Sequence, residues 1–242
     1  MRRRHGLARC VALLTVVWLP VAGAMSSVVQ GTDRNPHPAL AWCDSPAGLL
    51  ALTDAEGQTP ARLLRWSKQA GRLGAVQLQP ITLGQAEGAA GHVYRPFSWT
   101  TAGSPQQGVV ALSNIENAAD PAYRMSRVGS FTLAGQRYEC RYVPQAEFMG
   151  VTARRTVIIW HAGERVTYAT RNHGGQPGVY VTGGRVSREG EGRSYSFRAA
   201  GYTYRVELAE SGRAEVQVWQ GERQVQSEPF LTYSLAADLP SR

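Results

Sequence analysis

The clearest pattern of apolar and polar positions lies in residues 194–235. Tyr202, Tyr204, Val206 and Leu208 alternate with Thr203, Arg205 and Glu207, and Ala214, Val216 and Val218 alternate with Glu215 and Gln217. Period-two alternation predicts strands with one buried and one solvated face. It breaks at Gly201, at Glu210-Ser211-Gly212 and at Gly221-Glu222, where turns belong. The stretch therefore predicts an antiparallel meander. Its buried face is Tyr202, Tyr204, Val206, Leu208, Val216 and Val218. Trp219 is out of phase, sharing parity with Glu215 and Gln217.

Upstream, the pattern predicts hairpins. Residues 127–133 and 136–142 flank an Ala134-Gly135 turn, and residues 155–161 and 165–171 flank Gly163. Residues 178–182 form a further strand, and 188–193 read as a polar, glycine-rich loop. Residues 48–53 are a short apolar run, and 73–79, 92–99 and 108–115 are short strand candidates bounded by Gly or Pro. Pro80 and Pro96 predict edges or bulges, because proline donates nothing to a ladder. Residues 144–150 read as a turn or one helical turn. Residues 61–70 fit two elements. Thr59-Pro60 and Gly71 would cap a helix, whereas Leu64 and Trp66 mark one face of a strand. The segment from Ser130 echoes the one from Ser196: both run Ser-Phe, an Ala-Gly turn, then alternating aromatics. Either a repeat or a shared turn grammar would produce this.

The fold class expected is mainly β: antiparallel sandwich or barrel-like sheets, with two β subdomains possible and little helix outside a signal peptide. The glycine and proline content, 26 and 13 residues, agrees with many turns. The expected boundaries are a signal peptide over 1–24, a flexible leader over 25–39, a β-rich part over 40–120 and the meander part over 121–242. The last two could form one continuous domain, with residues 116–124 as the longest break between them.

The signal peptide rests on Arg2, Arg3, Arg4 and Arg9, the apolar run 11–19, Pro20 and the small-x-small Ala22-Gly23-Ala24. That run is about half the ~20 residues a spanning helix needs. No later run is long enough, so no transmembrane segment is expected in the mature chain. The formal charge of +8 falls with cleavage to 22 basic against 18 acidic residues, or +4. So small an excess gives no reason to expect nucleic acid. Cys43 and Cys140 remain, and in an exported chain an even pair reads as a disulfide.

Catalytic signatures are sparse. His161-Ala-Gly-Glu164 has an H-x-x-E form, but at strand spacing the two side chains oppose each other, and no metal or cofactor is expected. His161 reads as closing a hairpin and His173 as sitting in an exposed loop. Glu139, Glu147 and Glu164 are carboxylates without a predicted cleft. A serine nucleophile lacks its shaped turn. Trp219, with Arg205 or Arg223 nearby, is the candidate binding position for a protein or glycan of the cell envelope, unless a second layer covers it. The expected function is a secreted or periplasmic non-catalytic β protein with a binding or structural role. An extracytoplasmic hydrolase is the alternative. Tyr195-x-Phe197 with Gly201-Tyr202-x-Tyr204-x-Val206 resembles a hairpin of the periplasmic lysozyme inhibitors, which implies inhibition of a lysozyme-like enzyme as a further alternative. That family's Ser-Ala-Ser-Gly loop is absent and its cysteine arrangement does not map, so no membership is assigned.

Overall fold

The structure, a computed structural model, describes residues 25–31, 33, 35–55, 59–113, 128–141, 143–190 and 192–236. The expected signal peptide and the break at 116–124 lie outside the described residues. Every regular element within them is a strand, the pairings are antiparallel, and no barrel closes.

Fifteen strands form one branched sheet. Its N-terminal limb is β1 (Met25–Gln30), β2 (Pro36–Asp44), β3 (Gly48–Thr53) and β4 (Arg62–Gln69), with β5 (Arg72–Leu73) and β6 (Gln77–Pro80) both on β4. A second sheet follows, with β7 (Thr82–Leu83), β8 (Glu87–Ala89), β9 (His92–Thr101), β10 (Ser104–Ser113), β11 (Val128–Leu133) and β12 (Gln136–Glu139). The chain returns to the large sheet through β13 (Phe148–Thr152), β14 (Arg155–Ala162), β15 (Arg165–Asn172) and β16 (Tyr180–Thr182). The meander is β17 (Arg185–Glu189), β18 (Gly192–Ala199), β19 (Tyr202–Leu208), β20 (Ala214–Gln220) and β21 (Arg223–Ala236). Along its first half β21 pairs with β20, and along its second half it lies between β13 and β1.

Three apolar clusters separate the layers, and strand parity explains them. Phe148, Val157 and Ile159 point one way and meet Tyr195, Phe197, Val206 and Val216 of the meander. Met149, Val151 and Ile158 point the other way and meet Trp42, Leu49, Leu64 and Trp66. The opposite face of the N-terminal limb, Leu50, Leu52 and Leu63, meets Phe97, Val110 and Phe131 of the second sheet. β3 lies between two cores, Leu49 and Ala51 facing one and Leu50 and Leu52 the other, so all six of its residues are buried. Gly150 faces the meander core, where a Cβ would come within 2.6 Å of the Phe230 ring. Phe230 stands in the space a side chain there would fill.

Several expectations need correction. Residues 25–39 are not a flexible leader: β1 pairs with β21 from Met25↔Ala236 to Val29↔Thr232 and with β2 on its other side. The β21 partners lie some two hundred residues away in the chain, so local sequence carries no sign of that edge of the strand. Residues 61–70 resolve as β4, paired with β3 and β6. The stretch 144–150 contains no helix and ends inside β13, and the loop expected over 188–193 is divided between β17 and β18. Pro80 lies in β6, whose pairing partner is β4. Pro96 lies between the stretches of β9 that β7 and β8 occupy, where its carbonyl accepts from Gly84 N–H at 2.8 Å and its missing N–H returns no bond. The echoed hairpins share a turn, with positive φ at Ala134-Gly135 and at Ala200-Gly201. The same turn closes β4–β5 at Ala70-Gly71 and β9–β10 at Ala102-Gly103, outside the echoed segments. Two residues at positive φ form the primed turn whose twist suits a hairpin, so turn grammar accounts for the likeness.

Candidate functional site

Cys43 lies in the buried end of β2, one residue before Asp44, and Cys140 follows β12. Their sulfurs form a disulfide with Cα atoms 5.0 Å apart, joining the large sheet to the second sheet. Among the described residues no helix is long and apolar enough to cross a membrane.

Trp219 lies on the outer face of the meander, as its parity predicts, and is half-buried. The guanidinium of Arg205 sits over its ring, 5.9 Å from the centroid. The ring N–H donates to Gln217 Oε1 at 3.0 Å. Gln217 Nε2 in turn donates to Glu215 Oε1 at 2.6 Å and to Glu207 Oε2 at 3.3 Å. Arg205 reaches Glu207 Oε1 at 3.4 Å, and Ser227 donates to Glu215 Oε2 at 2.6 Å. The face is thus a connected polar surface across β19, β20 and β21, with one indole in it. Arg223 sits apart, exposed at the β20–β21 turn and in register with Gln220.

This surface leads into a cleft of about 980 Å³ between the meander and the N-terminal limb. Glu207, Arg213 and Glu215 line one side, Trp66 and Val76 another, and Leu231 lies between. Glu207 and Glu215 are direct cross-strand partners. Like charges in that arrangement repel, and the Gln217 amide between them supplies donors to both. Sequence reasoning did not single out this carboxylate pair. The signal was present in the 208–214 turn, because a hairpin closed there sets Glu207 opposite Glu215.

The structure separates the other candidates. His161, near the β14–β15 turn, donates from Nδ1 to Glu147 Oε2 at 2.8 Å rather than meeting Glu164. Glu147 is buried, and its Oε1 accepts from Arg193 at 3.1 Å and from the Tyr195 hydroxyl at 2.6 Å. Burial and the adjacent Glu147 charge push the Tyr195 phenol well above its ordinary value.

His173 lies at the other end of that hairpin. It is half-buried, not in an exposed loop, and Nε2 donates to Thr152 O at 3.2 Å. Burial lowers its pKa, and the charge of Lys68 lowers it further. Near it, Asp44 is fully withdrawn from solvent. Lys68 Nζ approaches Asp44 Oδ1 at 2.5 Å, while Arg141 Nε and Thr156 Oγ1 reach Oδ2 at 3.3 and 2.6 Å. The disulfide holds this arrangement, since Cys43 precedes Asp44 and Cys140 precedes Arg141. Glu139 is elsewhere, in an exposed pair with Arg137. His161 and His173 therefore share no pocket. Among the described residues no group of three or more His, Cys, Asp or Glu side chains could hold a metal ion.

Comparisons with family models, with curated proteins and with solved structures found no match.

Proposed function

We propose that this chain is an extracytoplasmic, non-catalytic binding protein and that its ligand is a glycan of the cell envelope. The carrying observation is the outer meander face, where a half-buried indole under a guanidinium continues into a cleft lined by carboxylates, an arginine and apolar side chains. An aromatic face beside fixed donors and acceptors suits a sugar ring, which offers a C–H face and a rim of hydroxyls. The disulfide and the absence of a membrane-crossing helix among the described residues fit an extracytoplasmic setting. The distance between the two histidines favours binding over catalysis.

Titration calorimetry with solubilised envelope glycan fragments tests the reading. Binding is expected, weakened at least about tenfold by Trp219→Ala, the loss of one good aromatic contact. Affinity unchanged in Trp219→Ala would refute the assignment of the ligand to this face.

The facing carboxylates favour a second reading, an extracytoplasmic glycan hydrolase using Glu207 and Glu215, because glycoside hydrolysis uses a carboxyl pair flanking the scissile bond. Turnover of the bound fragments, abolished in both Glu207→Gln and Glu215→Gln, would establish it in place of simple binding.

A further inference from the structure

Of the 26 lysine and arginine residues in this chain, Lys68 is the sole lysine. It lies in a nearly dry ion pair: its side chain keeps 10% of its exposure and that of Asp44 keeps none. A buried carboxylate is where guanidinium is ordinarily the better partner, being planar, bidentate and weakly hydrated. A chain that uses arginine at every other Lys or Arg position thus presents a primary amine to the most deeply buried carboxyl group among the described residues. Burial also lowers the pKa of the amine. Asp44 opposes that shift, while the charges of Arg141 and Arg171 add to it.

The surroundings of Asp44 are asymmetric. Oδ1 meets Lys68 Nζ, which also donates to Ser45 O at 2.6 Å. Oδ2 accepts from Thr156 Oγ1 and lies against Arg141 Nε. One oxygen faces the amine, and the other is held by two donors. That division of roles is what acyl transfer to nitrogen requires.

We propose that Lys68 and Asp44 condense into an intramolecular amide cross-link between Nζ and Cγ, releasing one water. A proton first passes from Nζ to Oδ1, leaving a neutral amine beside a neutral acid. The nitrogen lone pair then attacks Cγ, forming the C–N bond and moving the carbonyl electron pair onto Oδ2. Thr156 and Arg141 stabilise that oxyanion as donors already in place. A second proton moves from nitrogen to Oδ1, the Cγ–Oδ1 bond breaks, and Oδ1 departs as water. The amide keeps one N–H, directed at Ser45 O. No oxidant, metal or further reactant enters. Lys68 and Asp44 act as the reacting groups, and Thr156 and Arg141 hold the developing charge. The link would join β2 to β4 across β3, immediately beside the disulfide.

Intact-mass spectrometry of the purified full chain tests this. The expected mass is below that of the sequence by one water, in addition to the two hydrogens lost in the disulfide. Tryptic mapping should show no cleavage after Lys68 and a branched peptide joining it to the Asp44 segment. Lys68→Arg keeps the charge but should restore the water. Thr156→Val should slow the appearance of the lighter species after refolding by about a hundredfold. A wild-type chain that retains the water and is cleaved after Lys68 would overturn the proposal, as would a mass deficit that persists in Lys68→Arg.

Discussion

Asp44 and Glu147 are both carboxylates withdrawn from solvent, and each is answered differently. Glu147 joins β13 to the meander through Arg193 and Tyr195 and takes its third partner, His161, from the neighbouring β14. Asp44 draws on β4, β14 and the segment after β12, and a disulfide fixes the approach of one partner. The first cluster lies where the middle layer meets the meander, the second where it meets the N-terminal limb. Burying charge is costly, and a buried pair commonly does no better than apolar packing in net stability. What such a pair fixes is which surfaces meet, because a wrong pairing would strand a charge. The difference lies in the bracing. Glu147 depends on ordinary packing around it, whereas Asp44 sits next to a covalent tie.

The largest expected effect tests that bracing. Replacing Cys43 and Cys140 together by serine should cost up to about 4–5 kcal/mol in denaturant unfolding, given a separation of 97 residues. A loss below about 1 kcal/mol would mean that the disulfide adds little to the bracing of Asp44.

Glu147→Ala comes next, at about 3–5 kcal/mol, because the buried Arg193 loses its carboxylate partner Glu147. Chemical denaturation of this variant beside Arg193→Met separates the two contributions. If combining the two substitutions recovers much of the loss, the damage lies in the charge of Arg193 and not in the lost packing.

The third prediction concerns pH. His173 has its folded pKa below the ordinary value, so the unfolded chain binds more protons as pH falls through about 6.5. Stability should therefore be fully present above that pH and decline below it. His173→Gln should flatten this part of the profile when melting temperature is followed from neutral to mildly acidic buffer. A slope equal to wild type would remove His173 as its source.

The smallest effect is expected outside both clusters. Trp219→Ala removes a partly exposed cation–π contact and should cost about 0.5–1 kcal/mol, read by thermal melting. A much larger loss would make Trp219 a core residue and weaken its place in the binding face.

The legibility of the sequence follows the same division. The inner face of β19 and β20 could be read directly, since one side is wet and alternation survives: Val206, Leu208, Val216 and Val218 are all buried, with Tyr202 and Tyr204 partly so. β4 was ambiguous because it lies between two cores, with Leu63 facing one and Leu64 and Trp66 the other. Parity carries no information on such a strand. β1 was invisible because one of its two neighbours, β21, lies at the far end of the chain. The disulfide could be read from the cysteine count together with the expected signal peptide. The Trp219–Arg205 contact followed from strand parity, whereas Glu207 facing Glu215 needed the exact hairpin register. Asp44 was beyond reach, because its partners are 24, 97 and 112 residues away and no local pattern joins them.

The divided loyalty of β21 has a kinetic consequence. Its second half supplies the edge on which β1 and β13 form, so the first strand of the described fold has no inner neighbour until the final strand has been made. Closing contacts across some two hundred residues is slow, because the intervening chain must lose its freedom before the ladder forms. A growing chain therefore stays open along this seam until β21 has been made. The position of one strand thereby delays closure of the large sheet until nearly all of the described chain exists.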